Sequence, residues 1–321
     1  MRDPGGLYDI STDVIEVPSG LHLVAGLTGF ADAGSAVSQV SEYLLDTLEH
    51  STVLTFDNDE LLDYRARRPT MYFDQDHLSD YQPAALKLYL ARDELGQQFL
   101  LLTGYEPDFQ WERFTAAVLD IVQRYGVSTT TWINSIPMPV PHTRSIGVTV
   151  SGNRSELTDA MSVWKPRTQV PATALHLIEF RLRELAHPTT GFVLLIPHYL
   201  ADTEFPLAAV AALESVSAAT GLIFPTDRLR EEGRDFLAKI DAQVENNQEL
   251  FMSAEYSQVM QTLGGMLWAI LKTPMAVAGI CAALADSLVP VSYTHLRAHE
   301  TVLDLVCRLL LEKKKTIAYI N

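Results

Sequence analysis

"LHLVAGLTGFADAGSAVSQVSEYLLDTL", residues 21–48, joins an apolar run to a helical rhythm through two glycine corners and one acid. Leu21–Leu27 predicts a buried strand, and Val37, Val40, Tyr43, Leu44, Leu45 and Leu48 then recur at helical spacing. Nucleotide sites are often built at such a strand–glycine–helix passage, because the N–H groups of a helix N-terminus face an anion. Neither G-x-G-x-x-G nor G-x-x-x-x-G-K-[ST] is present in it, however. Asp32 would also repel a phosphate. The stretch therefore reads as a structural corner in which Asp32 caps the helix after Gly34; the alternative is an Asp32 that faces a ligand.

Working outward, STVLTFD (51–57), RPTMYFD (68–74), GQQFLLLTG (96–104), TTTWINS (129–135) and GFVLLIP (191–197) predict strands. SIGVTVSG (145–152) follows a proline-rich loop. PAALKLYLARDEL (83–95), FQWERFTAAVLDIVQRYG (109–126), VPATALHLIEFRLRELA (170–186) and FPLAAVAALESVSAATG (205–221) predict helices. Strands alternating with helices of this length give an α/β fold, with a mostly parallel sheet covered on both faces. TDRLREEGRDFLAKIDAQVENNQELF (226–251) is different: it is long and charged, and no strand follows it. Its line of Leu229, Phe236, Ile240, Val244 and Leu250 must be buried against its own sheet, another helix or a second chain. Self-association through that line is the expectation.

Composition narrows the function. The chain has 321 residues, 47% of them hydrophobic, enough for a substantial core. Its 24 basic and 40 acidic residues leave a net charge of −16. Sequence-independent nucleic-acid binding needs basic surface to release counterions, so no nucleic-acid partner is expected. Cys281 and Cys307 are the two cysteines, which offers no disulfide framework. The opening MRDPGGLYDISTD carries no apolar signal core, so a cytoplasmic protein is expected.

The end of the sequence changes character. VSYTHLRAHETVLDLVCRLLLEKKK (291–315) resembles the conceptual translation of a transposase-type sequencing-library adapter. The adapter DNA encodes VSYTHLRAHET, a short index fills the frame, and the remaining adapter gives LVCRLLLE ahead of an A-run that encodes the lysines. Residues 291–321 contain five basic and three acidic residues, so without them the chain is more acidic still. VMQTLGGMLWAILKTPMAVAGICAALADSL (259–288) is split by Lys272 and Pro274 into two short apolar runs, which favours a buried or chimeric segment over a membrane span. The expected organisation is an α/β domain over 1–222, a helical appendage over 223–258, the apolar segment 259–290 and an adapter-derived 291–321.

In an open parallel sheet, ligands sit beyond the carboxyl ends of the strands. The loops expected there hold Asp32, Asp63, Arg65, Arg67, Arg68, Glu106, Asp108, His142, Thr143, Arg144, His198 and Tyr199. Asp63 reads as a turn acid, and Asp108 as the cap of the Trp111 helix. The arginines are a charged surface turn or a clamp for an anion or for Glu106, since guanidinium forks suit carboxylates. Glu106 is expected to pair with an arginine, with catalysis as the alternative. His142 lies in PVPHTR, behind Pro137, Pro139 and Pro141. It is either a general base beside an Arg144 clamp or a buried histidine held in a hydrogen-bond network. His198 carries the same two readings, and His176, inside a helix beside Leu175 and Leu177, reads as structural. With no H-x-x-x-H, H-E-x-x-H or cysteine pair, no metal is expected, and with no G-x-S-x-G, no serine nucleophile.

GFADAGSA (29–36), LLDYRARRP (61–69), LTGYEPDFQW (102–111), PVPHTR (139–144) and IPHYL (196–200), taken in order, resemble the proteasome assembly chaperone 2 (PAC2) family, most closely its actinobacterial members. The resemblance covers roughly residues 8–250 and departs near Glu255. It implies a three-layer, Rossmann-like fold of the purine nucleoside phosphorylase type, a helical appendage and self-association, with a trimer as one outcome. Eukaryotic members chaperone assembly of the proteasome α-subunits, while bacterial members have often carried an ATP-grasp or carboxylate–amine ligase label. No glycine-rich phosphate loop or pair of metal-binding acids supports that label, so no cofactor is expected. The leading expectation is a non-catalytic assembly or interaction protein with protein partners. The alternative is an enzyme or binding protein for a small anionic ligand, with Glu106, His142 and His198 as catalytic candidates. Asp32, Arg65, Arg68, Glu106, His142, Thr143, Arg144, His198 and Tyr199 are then the candidates for contacting a ligand or partner.

Overall fold

The structure, a computed structural model, describes residues 3–246 apart from 13–15 and 166. The expectations for the apolar segment 259–290 and the adapter-like tail lie outside the described residues. In chain order the elements are β1 (Tyr8–Ile10), β2 (His22–Thr28), α1 (Ala36–Thr47), β3 (His50–Phe56), α2 (Asn58–Leu61), β4 (Thr70–Asp74), β5 (His77–Gln82), β6 (Leu86–Arg92) and β7 (Gln98–Tyr105). There follow α3 (Trp111–Arg124), β8 (Thr129–Met138), β9 (Gly147–Gly152), α4 (Ser155–Met161), α5 (Ala174–Glu184), β10 (Thr189–Pro197), α6 (Pro206–Thr220) and α7 (Asp227–Asn246).

Eight strands form one sheet in the order β1-β3-β6-β7-β2-β8-β10-β9. The centre, β7-β2-β8-β10, is parallel. Antiparallel pairs β6–β7, β3–β6 and β1–β3 extend one flank, and β9–β10 closes the other. β2 is central, and its buried Leu23, Val24, Ala25 and Leu27 alternate between two apolar layers. One layer joins the sheet to α1, α6 and α7, the other to α3 and α5. Fully burying a Leu, Val or Phe is worth about 1.5–3 kcal/mol, so these two layers are the main source of stability.

The stretch 21–48 is an αβ corner. Gly34 turns the chain at φ +68°, where an added Cβ would press on Ile196 and Phe205. Its N–H donates to the Ala201 carbonyl at 2.8 Å. Asp32 Oδ1 accepts the N–H of Val37 at 2.7 Å, while Oδ2 accepts the N–H of Ser38 at 3.1 Å and its hydroxyl at 2.6 Å. The anion at this helix N-terminus is therefore the protein's own carboxylate.

Residues 83–95 are not helical. Leu86–Arg92 is β6, bonded to β3 on one side and β7 on the other. Leu86, Leu88 and Leu90 meet the α3–α5 layer, while Tyr89 and Ala91 meet the α1–α6 layer. Ala, Leu and Lys favour helix in isolation, but the L-x-L-x-L period of two suits a strand buried on both faces, and that context overrides propensity. Of the line on α7, the side chains of Val244 and Leu250 lie outside the described residues. Leu229 and Ile240 are buried, and Phe236 lies on Phe205 with ring centroids 5.4 Å apart, so α7 packs on its own domain beside α6.

Candidate functional site

The parallel strands β2, β7, β8 and β10 end at Thr28, Tyr105, Met138 and Pro197, so the loops that follow them share one edge of the sheet. On the side toward α3 and α5, Glu106 is only 8% exposed. Its Oε1 accepts the N–H of Ala174, the first residue of α5, at 2.6 Å. Its Oε2 receives the N–H of Phe30 at 3.4 Å. A carboxylate here satisfies a donor the helix cannot satisfy itself and complements the dipole. Thr173 and His176 complete the α5 terminus as a reciprocal capping box. Gly29 makes room for Glu106, since a Cβ on it would lie 2.5 Å from Glu106 Cβ.

The expected arginine–Glu106 pairing takes another form. Arg67 Nη2 donates to the main-chain carbonyl of Glu106 at 2.6 Å and forms its ion pair with Asp108. The Arg67 guanidinium also lies 5.1 Å from the centre of the Tyr105 ring. Asp108 does not cap α3: Gln110 occupies the cap position, and its side chain bonds Glu60 rather than the helix N–H groups. Asp108 Oδ2 instead accepts the N–H of Asp63 at 2.7 Å, fastening the 61–69 turn to β7. Asp63 closes that turn by accepting the N–H of Arg65 at 2.9 Å. Tyr105 donates to Asn58 Oδ1 at 2.7 Å, and burial pushes its phenol well above the usual range. An open groove of about 700 Å³ is lined here by Thr28, Gly29, Phe30, Arg67, Glu106, Asp108 and Trp111.

His142 stands on the other side of the edge. It is buried, and its ring bridges Tyr199 OH, 2.7 Å from Nδ1, and Asp241 Oδ1, 3.0 Å from Nε2. The His142 main-chain N–H also donates to Tyr199 OH, at 2.8 Å. The Tyr199 hydroxyl thus holds both the backbone and the ring of His142, whose far nitrogen meets the Asp241 carboxylate. The chain Tyr199–His142–Asp241 ties the proline loop to the turn after β10 and to α7. Burial raises the Tyr199 phenol. His198 stacks edge-on against Tyr199 at 5.3 Å. Arg65, Arg68, Thr143 and Arg144 are exposed.

The candidate residues share the edge but do not converge. Glu106 reaches into the α3–α5 layer, whereas Asp32 caps α1 and His142 reaches α7 in the opposite layer. Among the described residues no group of three or more His, Cys, Asp or Glu side chains is placed to hold a metal ion. Of the two readings offered for His142, the geometry is that of the networked histidine.

Sequence reasoning passed over Glu179. It is buried, and its Oε2 accepts from Trp132 Nε1 at 2.9 Å and from Ser151 Oγ at 2.6 Å, joining α5 to β8 and β9. Burial raises its carboxyl pKa. A signal was present, because Leu175, Ile178, Glu179 and Leu182 lie on one helical stripe, with an acid in an apolar position. His176 packs edge-on against Trp132 at 5.1 Å, a structural role as read.

The model of the PAC2 family matches residues 26–244. A Mycobacterium tuberculosis protein of unknown function is 38% identical, with a TM-score of 0.76 over 80% of this chain and 91% of that one. A Corynebacterium glutamicum protein of unknown function is 32% identical, with a TM-score of 0.75 over 78% and 95%. A M. tuberculosis proteasome-assembly chaperone homologue, 21% identical, shares the fold with a TM-score of 0.67 over 74% and 99%. No curated protein matches the chain.

Proposed function

The chain belongs to the PAC2 family, and from that premise we propose that it is a non-catalytic assembly chaperone whose protein partners belong to the proteasome system. The observation that carries this reading is how the edge residues are used. The buried Glu106 and His142 and the half-buried Asp32 are committed to helix termini and interlayer ties. Arg65, Arg68, Thr143 and Arg144 are exposed in loops of the same sheet edge as the exposed Phe30 and Phe109. On a chain with a net charge of −16, arginines gathered with aromatics at one edge suit an acidic protein surface. The fold relative described as a proteasome-assembly chaperone homologue supports the choice of partner class.

The protein is taken to work in the cytoplasm as a homo-oligomer, with three copies the expected number. Among the described residues no helix is long and apolar enough to cross a membrane. The test is co-expression with the proteasome α-subunits of the same host, followed by sedimentation of the assembled particles. The parent chain should associate with α-subunits and raise the assembled fraction. Arg65→Glu combined with Arg68→Glu and Arg144→Glu should abolish both effects without unfolding the protein. A parent chain that neither binds the subunits nor changes their assembly overturns the reading.

A further inference from the structure

Arg67 is the cation in the lining of the open groove beside Glu106, and it is held from three sides. Its Nη2 donates to the Glu106 carbonyl at 2.6 Å and to Asp108, while the guanidinium lies over the Tyr105 ring. A guanidinium carries five N–H donors in a planar fork. Among the described residues, the Nε–H of Arg67 and the two N–H groups of Nη1 have no protein acceptor. The side chain is 31% exposed, so this edge of the fork is accessible. Two parallel N–H groups on one guanidinium edge match the two oxygens of a carboxylate.

The other polar groups of the groove are committed to the protein. Glu106 accepts from the N–H groups of Ala174 and Phe30, and Asp108 from Arg67 and the Asp63 N–H. The Thr28 hydroxyl donates to the Gly104 carbonyl, and Trp111 Nε1–H to the Pro107 carbonyl at 2.6 Å. Trp111 therefore offers a ligand its ring rather than a donor. Phe30, 67% exposed, stands in the same lining. α3 begins at Trp111, and its cap residue Gln110 bonds Glu60 instead of the helix N–H groups. The positive end of the α3 dipole thus lies at this wall. Arg65 and Arg68, exposed on the same turn as Arg67, add to the positive field.

We infer that the groove receives an extended acidic segment of the partner protein. One Glu or Asp side chain of that segment pairs with the accessible edge of Arg67, and the apolar residue beside it packs on Phe30 and Trp111. Asp108 and Tyr105 fix the guanidinium beforehand, so little side-chain freedom is lost when the acid arrives. The groove is open, which admits a segment that continues on either side of its anchor residue. This inference rests on the chaperone reading for the existence of a protein partner, and adds where on the chain and by what chemistry that partner is held.

The experiment selects random peptides, displayed with both ends tethered, on the purified full chain. One amidated consensus peptide is then measured by fluorescence anisotropy. Selected peptides should be enriched in Glu or Asp next to Leu, Phe, Tyr or Trp. Changing that acid to its amide should weaken binding about tenfold or more, because bonds between two ionised groups are the strong ones. Arg67→Lys keeps the charge and removes the fork, so it should weaken the acidic peptide to a similar degree and the amide peptide far less. Phe30→Ser should weaken both peptides and leave the melting temperature unchanged, which separates lost binding from lost folding. The inference fails if no acidic consensus is selected, if acid and amide peptides bind alike, or if Phe30→Ser binds as tightly as the parent. It also fails if only a peptide with a free C-terminal carboxylate binds, since a chain terminus is then the ligand. If the acidic peptide binds as described while α-subunits neither associate nor assemble, the groove site stands and the proteasome partner falls. If parent, Arg67→Lys and Phe30→Ser all raise α-subunit assembly equally, the groove is not the docking site and the proposed function stands.

Discussion

Glu106 and the main-chain N–H of Ala174 meet at 2.6 Å across 68 residues of sequence, so the acid at the end of β7 is the anion at the start of α5. That bond turns a residue with the credentials of a general acid into part of the scaffold. Replacing Glu106 with Ala leaves the buried N–H without its acceptor and should cost about 1–3 kcal/mol in urea unfolding. Glu106→Gln keeps an acceptor oxygen and should lose less. A Glu106→Ala protein as stable as the parent would free Glu106 for a ligand role.

Gly29→Ala should lower stability by about 1–3 kcal/mol, the usual range for overpacking. The added carbon would fall 2.5 Å from Glu106 Cβ, and Glu106 is held in place by Ala174. Glu106→Ala removes Oε2, which the new carbon would also meet at 2.6 Å, but keeps Cβ, so combining it with Gly29→Ala should relieve only part of the loss, and a double-mutant cycle measures how much.

Tyr199→Phe removes the hydroxyl that accepts the His142 N–H and is hydrogen-bonded to Nδ1. A loss of about 1–3 kcal/mol is expected from the buried groups left unpaired. Asp241→Asn keeps a carbonyl acceptor at the more exposed end of the chain and should cost about 1 kcal/mol or less. Limited proteolysis should show α7 cut earlier in Tyr199→Phe than in the parent. Equal cutting would mean that the histidine bridge does not hold that helix.

Glu179 gives stability a particular pH dependence. Burial raises its carboxyl pKa in the folded protein, so over that interval the folded state binds more protons than the unfolded chain. Its contribution is greatest below the ordinary glutamate range and falls as pH rises toward the elevated folded value. Glu179→Gln, which still accepts from Trp132 and Ser151, should flatten the stability curve in that window. If parent and variant have the same slope, Glu179 does not titrate differently on folding.

Deleting residues 291–321 should leave the melting temperature and oligomeric mass unchanged if VSYTHLRAHETVLDLVCRLLLEKKK, which resembles translated adapter, is no part of the natural chain. Amplifying the locus from source DNA without adapters checks the same point, and recovery of the identical tail would overturn it.

The sequence by itself determined the elements whose cues are local. Leu21–Leu27 and the stripe from Val37 to Leu48 are β2 and α1, and Pro206 and Gly221 bracket α6. Asp32 was legible as a cap because its donors, Val37 and Ser38, lie within one helical turn of the corner. β6 was misread because helix propensity is local, whereas its strand identity depends on β3 and β7 on either side. What only the tertiary structure decided are the long-range partners. Glu106 finds Ala174, His142 finds Asp241, and Phe236 finds Phe205 at the start of α6. Periodicity shows that a side chain will be buried or bonded, but the partner depends on strand order and helix docking, which bring together residues that no sequence spacing connects.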